Sequence, residues 1–90
     1  MNSPEIKAFI HQHSHLFWYT PEDKKEDISN EFLVETILNY GDLNDVRQLF
    51  NILGFNRLSE IFSGLQGRKK LNYYPEMYHF FSIIIQRYAH

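Results

Sequence analysis

The sequence predicts an all-α protein, a single domain over residues 1–90 that folds as a compact bundle of about five short helices. Three observations favour this fold class. Ninety residues are enough for one domain only. Apolar residues recur at spacings of three and four, which place them on one face of a helix, and glycine, proline or a capping side chain separates these segments. Aromatic residues make up 17% of the chain, which supplies the large side chains that a small core requires.

The first helix is predicted to begin at Ser3-Pro4-Glu5. This sequence combines a capping hydroxyl, a proline at the first helical position and an acid at the positive end of the helix dipole. An apolar stripe of helical period follows, formed by Ile6, Phe9, Ile10 and His13. The segment Leu16-Phe17-Trp18-Tyr19 comes just before Thr20-Pro21, and we expect it to insert into the core as an aromatic plug. Residues 22–27 are all charged, and we expect them to form a solvated loop.

The second helix is predicted to begin at Ser29 or Asn30 and to end at Gly41, and the third to begin at Asp42 and to end at Gly54. Their apolar stripes are Leu33, Val34, Ile37, Leu38 and Tyr40 in the second helix and Val46, Leu49, Phe50 and Leu53 in the third. Because each helix begins so soon after the previous one ends, we expect Gly41 and Gly54 to form left-handed caps with positive φ. Such short connections also predict antiparallel or crossed packing of neighbouring helices.

The fourth helix is predicted to begin at Asn56 and to end at Gly64 or Gly67, with Leu58, Ile61, Phe62 and Leu65 as its stripe. Pro75 opens the last helix, which is predicted to run to about Tyr88. Its apolar residues leave almost no polar face; they are Met77, Phe80, Phe81, Ile83, Ile84, Ile85 and Tyr88. Such a helix is either the central helix of the core or half of an interface.

The last helix supports the main functional hypothesis, which is protein–protein interaction. The stripes of the other four helices must also cover one another, so we expect them to leave part of this helix exposed as a binding surface. The predicted interface residues are Phe80, Phe81, Ile84, Ile85 and Tyr88. The partner is another protein or a second copy of the chain, and a symmetric homodimer is the commonest arrangement of the second kind. The alternative is a fully buried helix without a partner.

A nucleic-acid-binding regulator is the second functional hypothesis. The net charge of −2 gives no general attraction to nucleic acid, but the charge is unevenly distributed. Positions 21–45 contain eight acids and two lysines, whereas positions 56–70 contain four basic residues and one acid. Arg68, Lys69 and Lys70 are followed by Tyr73 and Tyr74, and phosphate-binding cations beside stacking rings are typical of single-strand binding. This hypothesis ranks second because three basic residues in a loop more often form a solvated turn.

No set of residues predicts catalysis, a metal site or a cofactor. His11, His13 and His15 are close in sequence, but only His11 and His15 share a helix face, so the three imidazoles do not converge on one ion. The chain has no cysteine, no nucleophile elbow and no glycine-rich phosphate loop. We therefore predict no bound metal, no cofactor and no enzymatic activity.

The predicted compartment is the cytoplasm. The absence of cysteine fits a reducing environment, and the N-terminal residues lack the basic and apolar regions of a signal peptide. The longest apolar run, residues 80–85 with Ser82 inside it, is far shorter than the ~20 residues that span a bilayer. No interaction with a membrane is expected.

A motif occupies the middle of the chain, residues 16–62. It consists of Leu16-Phe17-Trp18, an acidic spacer, and a helix that ends in Gly41-Asp42-Leu43-x-Asp45. This pattern resembles a short bacterial domain family of unassigned function, from which Tyr19 and Leu53 depart. Members of that family are often encoded near abortive-infection nucleotidyltransferase toxins. The resemblance implies a bacterial protein with an antitoxin-like or regulatory partner role, and it transfers no catalytic residue.

Overall fold

The structure, a computed structural model, describes residues 3–65 and 71–88 and confirms the predicted all-α class. Within these residues the chain forms five α-helices, two short 3-10 helices, a further 3-10 turn at residues 71–72, and no strand. The α-helices are α1 (Pro4–Gln12), α2 (Asn30–Tyr40), α3 (Leu43–Leu53), α4 (Phe55–Ser63) and α5 (Pro75–Tyr88), and the 3-10 helices are η1 (Ser14–Phe17) and η2 (Glu22–Asp27). In the same two ranges, no helix has both the length and the apolar character that crossing a bilayer requires.

The first three α-helices begin at the caps that the sequence predicts. The side chains of Ser3, Ser29 and Asp42 each accept a hydrogen bond from the backbone N–H three residues further on, at 3.3, 3.2 and 2.8 Å. Asp45 forms the reciprocal hydrogen bond, in which its carboxylate accepts from the backbone N–H of Asp42 at 3.0 Å. This reciprocal capping box fixes the start of α3 directly after α2.

The two interhelical glycines have different roles. Gly54 has φ 80° and ψ 161°, a region that essentially only glycine occupies. It is the N-cap of α4, two residues before the predicted cap Asn56, so that prediction is wrong. The prediction of positive φ is wrong for Gly41, whose φ is −84°. A Cβ atom at Gly41 would lie 2.8 Å from the backbone oxygen of Ile37. Glycine is therefore favoured there by this steric contact and not by a positive φ.

The core contains side chains from all five α-helices and from η1. Its most deeply buried side chains are Ile10, Phe17, Leu33, Val34, Thr36, Ile37, Leu38, Leu49 and Phe81. The predicted aromatic plug is therefore confirmed for Phe17 but wrong for Trp18 and Tyr19, which are 79% and 51% exposed. Successive residues in a 3-10 helix point about 120° apart, so the residue after an inward-facing Phe17 turns toward solvent.

The charged segment η2 is not the solvated loop that the sequence predicts. It folds as a 3-10 helix that packs against α1, and its Lys25 is buried while donating to Glu22 at 2.9 Å. Glu26 contacts Nε2 of His11 at 2.6 Å and Nζ of Lys7 at 3.8 Å. The hydrogen bond with His11 is the main cause that lowers the pKa of Glu26. The side chains of Lys7 and His11 in α1 thus hold the acidic segment against the domain.

Candidate protein-binding groove

Helix α5 packs on α3 and α4 around the buried ring of Phe81, and its Tyr78 also stacks on Phe62 of α4 at 5.4 Å between centroids. Phe81 is fully buried, and its ring lies 5.1 Å from that of Phe62 and 5.9 Å from that of Phe50, measured between centroids. Phe81 therefore belongs to the core of the single chain, and its assignment to an interface is wrong. The prediction that α5 is apolar almost all round is also wrong, because Glu76, His79 and Gln86 lie on an exposed side of the helix.

An apolar groove of about 820 Å³ lies between α3, α4 and α5. We call it the α3–α5 groove. Its apolar lining consists of Leu43, Val46, Phe50, Phe55, Leu58, Phe80, Ile84 and Ile85. Three of the five predicted interface residues, Phe80, Ile84 and Ile85, thus form one wall, and all three are half-buried. The side chain of Tyr88 lies outside the described residues.

The opposite wall comes from α3, and the predicted stripe of that helix includes its Val46 and Phe50 but not its Leu43 and Arg47. Leu43, Val46, Arg47 and Phe50 follow one another at i, i+3, i+4 and i+7, and all four line the groove. Leu43 is 58% exposed. The predicted stripe of α3 began at Val46 and therefore omitted it. A search for a second stripe of the same period would have found this wall.

Phe55 contributes the edge of the groove at the start of α4 and is 37% exposed. It follows directly after Gly54, whose positive φ turns the chain from α3 into α4 without an intervening loop. A large aromatic side chain is thereby placed at the junction of the two helices. Phe55 lies three residues before Leu58 and so extends the predicted stripe of α4 by one turn, whereas its place at the edge of the groove depends on the angle between α3 and α4.

The charge at the groove is positive. Arg47 on α3 and Arg87 on α5 both line it and are exposed, and Asn51 is the remaining polar residue of the lining. Within residues 3–65 and 71–88, no ion pair includes either arginine. Among the described residues that line the groove, none is acidic. The site therefore combines apolar walls with two cations that have no carboxylate partner in the described chain.

The residues predicted for nucleic-acid binding differ in their exposure to solvent. Tyr73, predicted as a stacking ring, is 5% exposed, and burial raises the pKa of its hydroxyl. The side chain of Asn39 explains this burial: it donates to the carbonyl of Asn72 at 2.8 Å and accepts from the backbone N–H of Tyr74 at 3.0 Å. These two bonds hold the segment before α5 against α2. A stacking role for Tyr73 is therefore wrong.

Tyr74 remains 46% exposed, and its ring meets that of Tyr40 edge to face at 5.9 Å. A hydrogen bond with the Tyr74 hydroxyl raises the pKa of Tyr40. Arg68, Lys69 and Lys70 lie outside the described residues. One of the five residues assigned to nucleic-acid binding is thus exposed as that hypothesis requires.

A second exposed aromatic surface surrounds Trp18. Its ring lies 5.4 Å from that of Tyr19, which in turn lies 5.8 Å from that of Phe32. Exposed Trp and Tyr residues are enriched among the residues that dominate binding energy in protein interfaces. None of these three rings lines the α3–α5 groove, and Trp18 and Tyr19 lie in the segment that the sequence had assigned to the core.

The three histidines of the N-terminal region have separate surroundings. His11 pairs with Glu26, whereas His13 is buried and its Nε2 lies 2.8 Å from a carboxylate oxygen of Asp45. The rings of His13 and His15 are 6.5 Å apart between centroids. In the part of the chain that the structure describes, no group of three histidine or carboxylate side chains is arranged to hold a metal ion.

Compared with known proteins, the chain matches no protein-family model, no curated protein and no solved structure. The resemblance of residues 16–62 to the short bacterial family therefore stays an expectation. What the protein does has to be inferred from the geometry of its described residues.

Proposed function

We propose that this protein is a protein-interaction module that binds its partner in the α3–α5 groove. The observation that carries the proposal is the groove itself, with apolar walls contributed by three helices. Leu43 and Phe55 keep 58% and 37% of their surface in contact with water. Covering them would release that apolar surface from water, at about 25 cal/mol per Å² buried.

The form of the groove favours a macromolecular partner over a small molecule. Sites for small ligands usually bury about 70–90% of the ligand surface inside a concave pocket. Here the lining includes several exposed side chains, namely Leu43, Arg47, Asn51, Phe55 and Arg87. A site bordered by exposed side chains covers one side of a ligand, which is the geometry of a helix lying in a surface groove.

Nucleic-acid binding has less support. Single-strand binding needs stacking rings that face solvent beside the phosphate-binding cations. Tyr73 is buried against α2 and α5, which leaves Tyr74 as the exposed ring of the predicted pair. The antitoxin-like or regulatory role that the family resemblance implies is compatible with protein binding through the groove. A second copy of the chain and a different protein are both partners that this function allows.

The function is tested by placing a charge in the groove. Ile84→Glu puts a carboxylate into the α5 wall, whereas Ile83→Glu is the matched control, since Ile83 is 43% exposed on the same helix and does not line the groove. We expect Ile84→Glu to lose partners, or self-association, that the parent and Ile83→Glu retain. Affinity capture from the native cell with mass spectrometry measures the loss of partners, and sedimentation velocity measures the loss of self-association.

Thermal melts followed by circular dichroism establish that both variants are folded. If folded Ile84→Glu retains the partners and the oligomeric state of the parent, the groove is not the binding site. Should Ile84→Glu fail to fold, Leu43→Glu replaces it, because Leu43 lies at the exposed edge of the opposite wall and carries less of the core.

A further inference from the structure

We infer that the occupant of the α3–α5 groove is an acidic amphipathic helix of a different protein. In this arrangement the apolar face of the helix enters the groove and its flanking carboxylates pair with Arg47 and Arg87. The inference rests on the proposed function and adds the class of partner to it. It follows from the length of the groove walls, from the charge of the groove, and from the repulsion that this charge would cause in a symmetric dimer.

The length of each wall matches the repeat of a helical ligand. On α3 the lining runs from Leu43 to Phe50, and on α5 it runs from Phe80 to Arg87. Each is a step of i to i+7, or about 10.5 Å along a helix axis. Helices that bind in grooves present anchors at i, i+3 or i+4, and i+7, which have the same span. The apolar face of about two turns of a partner helix therefore fits between the two walls.

The charge of the groove selects the flanking residues of that helix. Arg47 and Arg87 stand on the two opposite walls, and no acidic side chain is among the groove's lining residues. Two cations without a carboxylate partner attract acids and repel bases at the border of an apolar site. Arginine is also suited to this position because its planar guanidinium binds a carboxylate through two parallel hydrogen bonds.

The same charges disfavour a second copy of the chain. In a two-fold symmetric dimer the same surface patch of each subunit meets in the interface. A dimer formed through the α3–α5 groove would therefore bring two copies of Arg47 and two copies of Arg87 into one desolvated interface. None of the residues lining either groove supplies an acid to pair with them. An acidic helix from another protein removes this repulsion.

The test uses two designed peptides of about 14 residues with identical leucine anchors at i, i+3, i+4 and i+7. One peptide carries glutamate at the positions beside the anchors, and the other carries lysine there. Binding to the 90-residue chain is measured by fluorescence anisotropy at low and at high ionic strength. We expect the glutamate peptide to bind at least about tenfold tighter, and the difference to narrow at high salt.

Three variants test whether the preference for the glutamate peptide arises in the groove. The double variant Arg47→Gln with Arg87→Gln should remove most of the difference between the peptides. Charge reversal with Arg47→Glu and Arg87→Glu should invert it. Arg57→Gln is the matched control, because Arg57 is an exposed arginine of α4 that does not line the groove. It should leave the preference unchanged.

The outcomes separate this inference from the proposed function. If both peptides bind equally and Ile84→Glu weakens both, the groove binds helices but the acidic class is wrong. If neither peptide binds, and the parent forms a dimer that Ile84→Glu dissociates, the occupant is a second copy and the inference is overturned. If neither peptide binds and Ile84→Glu changes nothing, both the inference and the proposed function fail.

Discussion

Replacing Asp45 with asparagine should destabilise the fold, because this carboxylate joins two helices. One oxygen accepts the backbone N–H of Asp42 at 3.0 Å and completes the cap of α3. The other lies 2.8 Å from Nε2 of His13, at the end of α1. The second ring nitrogen of His13 donates to the carbonyl of Phe9 at 2.8 Å, and the two rings stack at 4.1 Å. Asp45 is the better target, since changing His13 would also remove this stacking.

The expected loss of stability can be worked out from the hydrogen bonds of Asp45. Asparagine keeps one oxygen that can accept the Asp42 N–H, but it carries no charge, so both the cap and the contact with His13 lose the contribution of the carboxylate charge. A hydrogen bond that involves an ionised group contributes about 1.5–3 kcal/mol, and a carboxylate in the first turn of a helix adds about 0.3–1 kcal/mol. We expect Asp45→Asn to lower the free energy of unfolding by about 2 kcal/mol. For a domain of this size that lowers the Tm by roughly 8–16 °C.

The pH dependence has a defined sign. Partial burial acts to raise the pKa of Asp45, but the hydrogen bonds from the Asp42 backbone and from His13 outweigh it and hold that pKa below its ordinary value. A carboxyl with a lowered pKa in the folded state stabilises the fold above its unfolded pKa of about 4. That contribution is lost as the pH falls through the lower, folded pKa. The stability difference between parent and variant should therefore be largest near neutrality and shrink in acid.

Urea unfolding followed by far-UV circular dichroism measures this difference at about pH 7 and about pH 3. Asp23→Asn is the control, because Asp23 is an exposed carboxylate of η2. The reasoning would be refuted if Asp45→Asn cost no more than Asp23→Asn at neutral pH. An unchanged difference between parent and Asp45→Asn at the two pH values would refute the linkage to this carboxylate.

Further stability predictions are checked by the same melts. Gly54→Ala should cost about 1–3 kcal/mol from positive φ alone, since an added Cβ meets nothing within 4 Å, and a cost below about 0.5 kcal/mol would contradict this. Gly41→Ala should lower the free energy of unfolding by a similar amount, because the added Cβ would lie too close to a backbone oxygen. Phe17→Ala should cost about 3–5 kcal/mol, whereas Trp18→Ala should stay within about 0.5 kcal/mol. Tyr73→Phe should be neutral or stabilising, because the buried hydroxyl has no hydrogen-bond partner in the described chain.

The helix boundaries could be predicted from the sequence because their signals are local. The caps at Ser3, Ser29 and Asp42 act on backbone groups only three residues away. The end of α3 at Gly54 depends on the conformation of a single residue. Such interactions do not require knowledge of which helices meet. The all-α class and the start of α5 at Pro75 were predictable for the same reason.

The assignment of single side chains to core or surface was less accurate, because burial depends on packing between distant segments. Leu16 to Tyr19 reads as one aromatic run, yet the turn of η1 directs Phe17 inward and leaves Trp18 exposed. Lys25 reads as a surface residue, yet packing of η2 on α1 buries it. Hydrophobicity determines how much apolar area must be covered, but it does not determine which neighbour covers it.

The sequence by itself determined that α5 is largely apolar, and it predicted an interface of five residues on that helix, namely Phe80, Phe81, Ile84, Ile85 and Tyr88. Only the tertiary structure decided that Phe81 fills the core and that Phe80, Ile84 and Ile85 line a groove. The opposite wall, with Leu43, comes from a helix more than thirty residues earlier in the chain. Its position is set by the crossing of α3, α4 and α5, which arises from many long-range contacts at once and has no local signal.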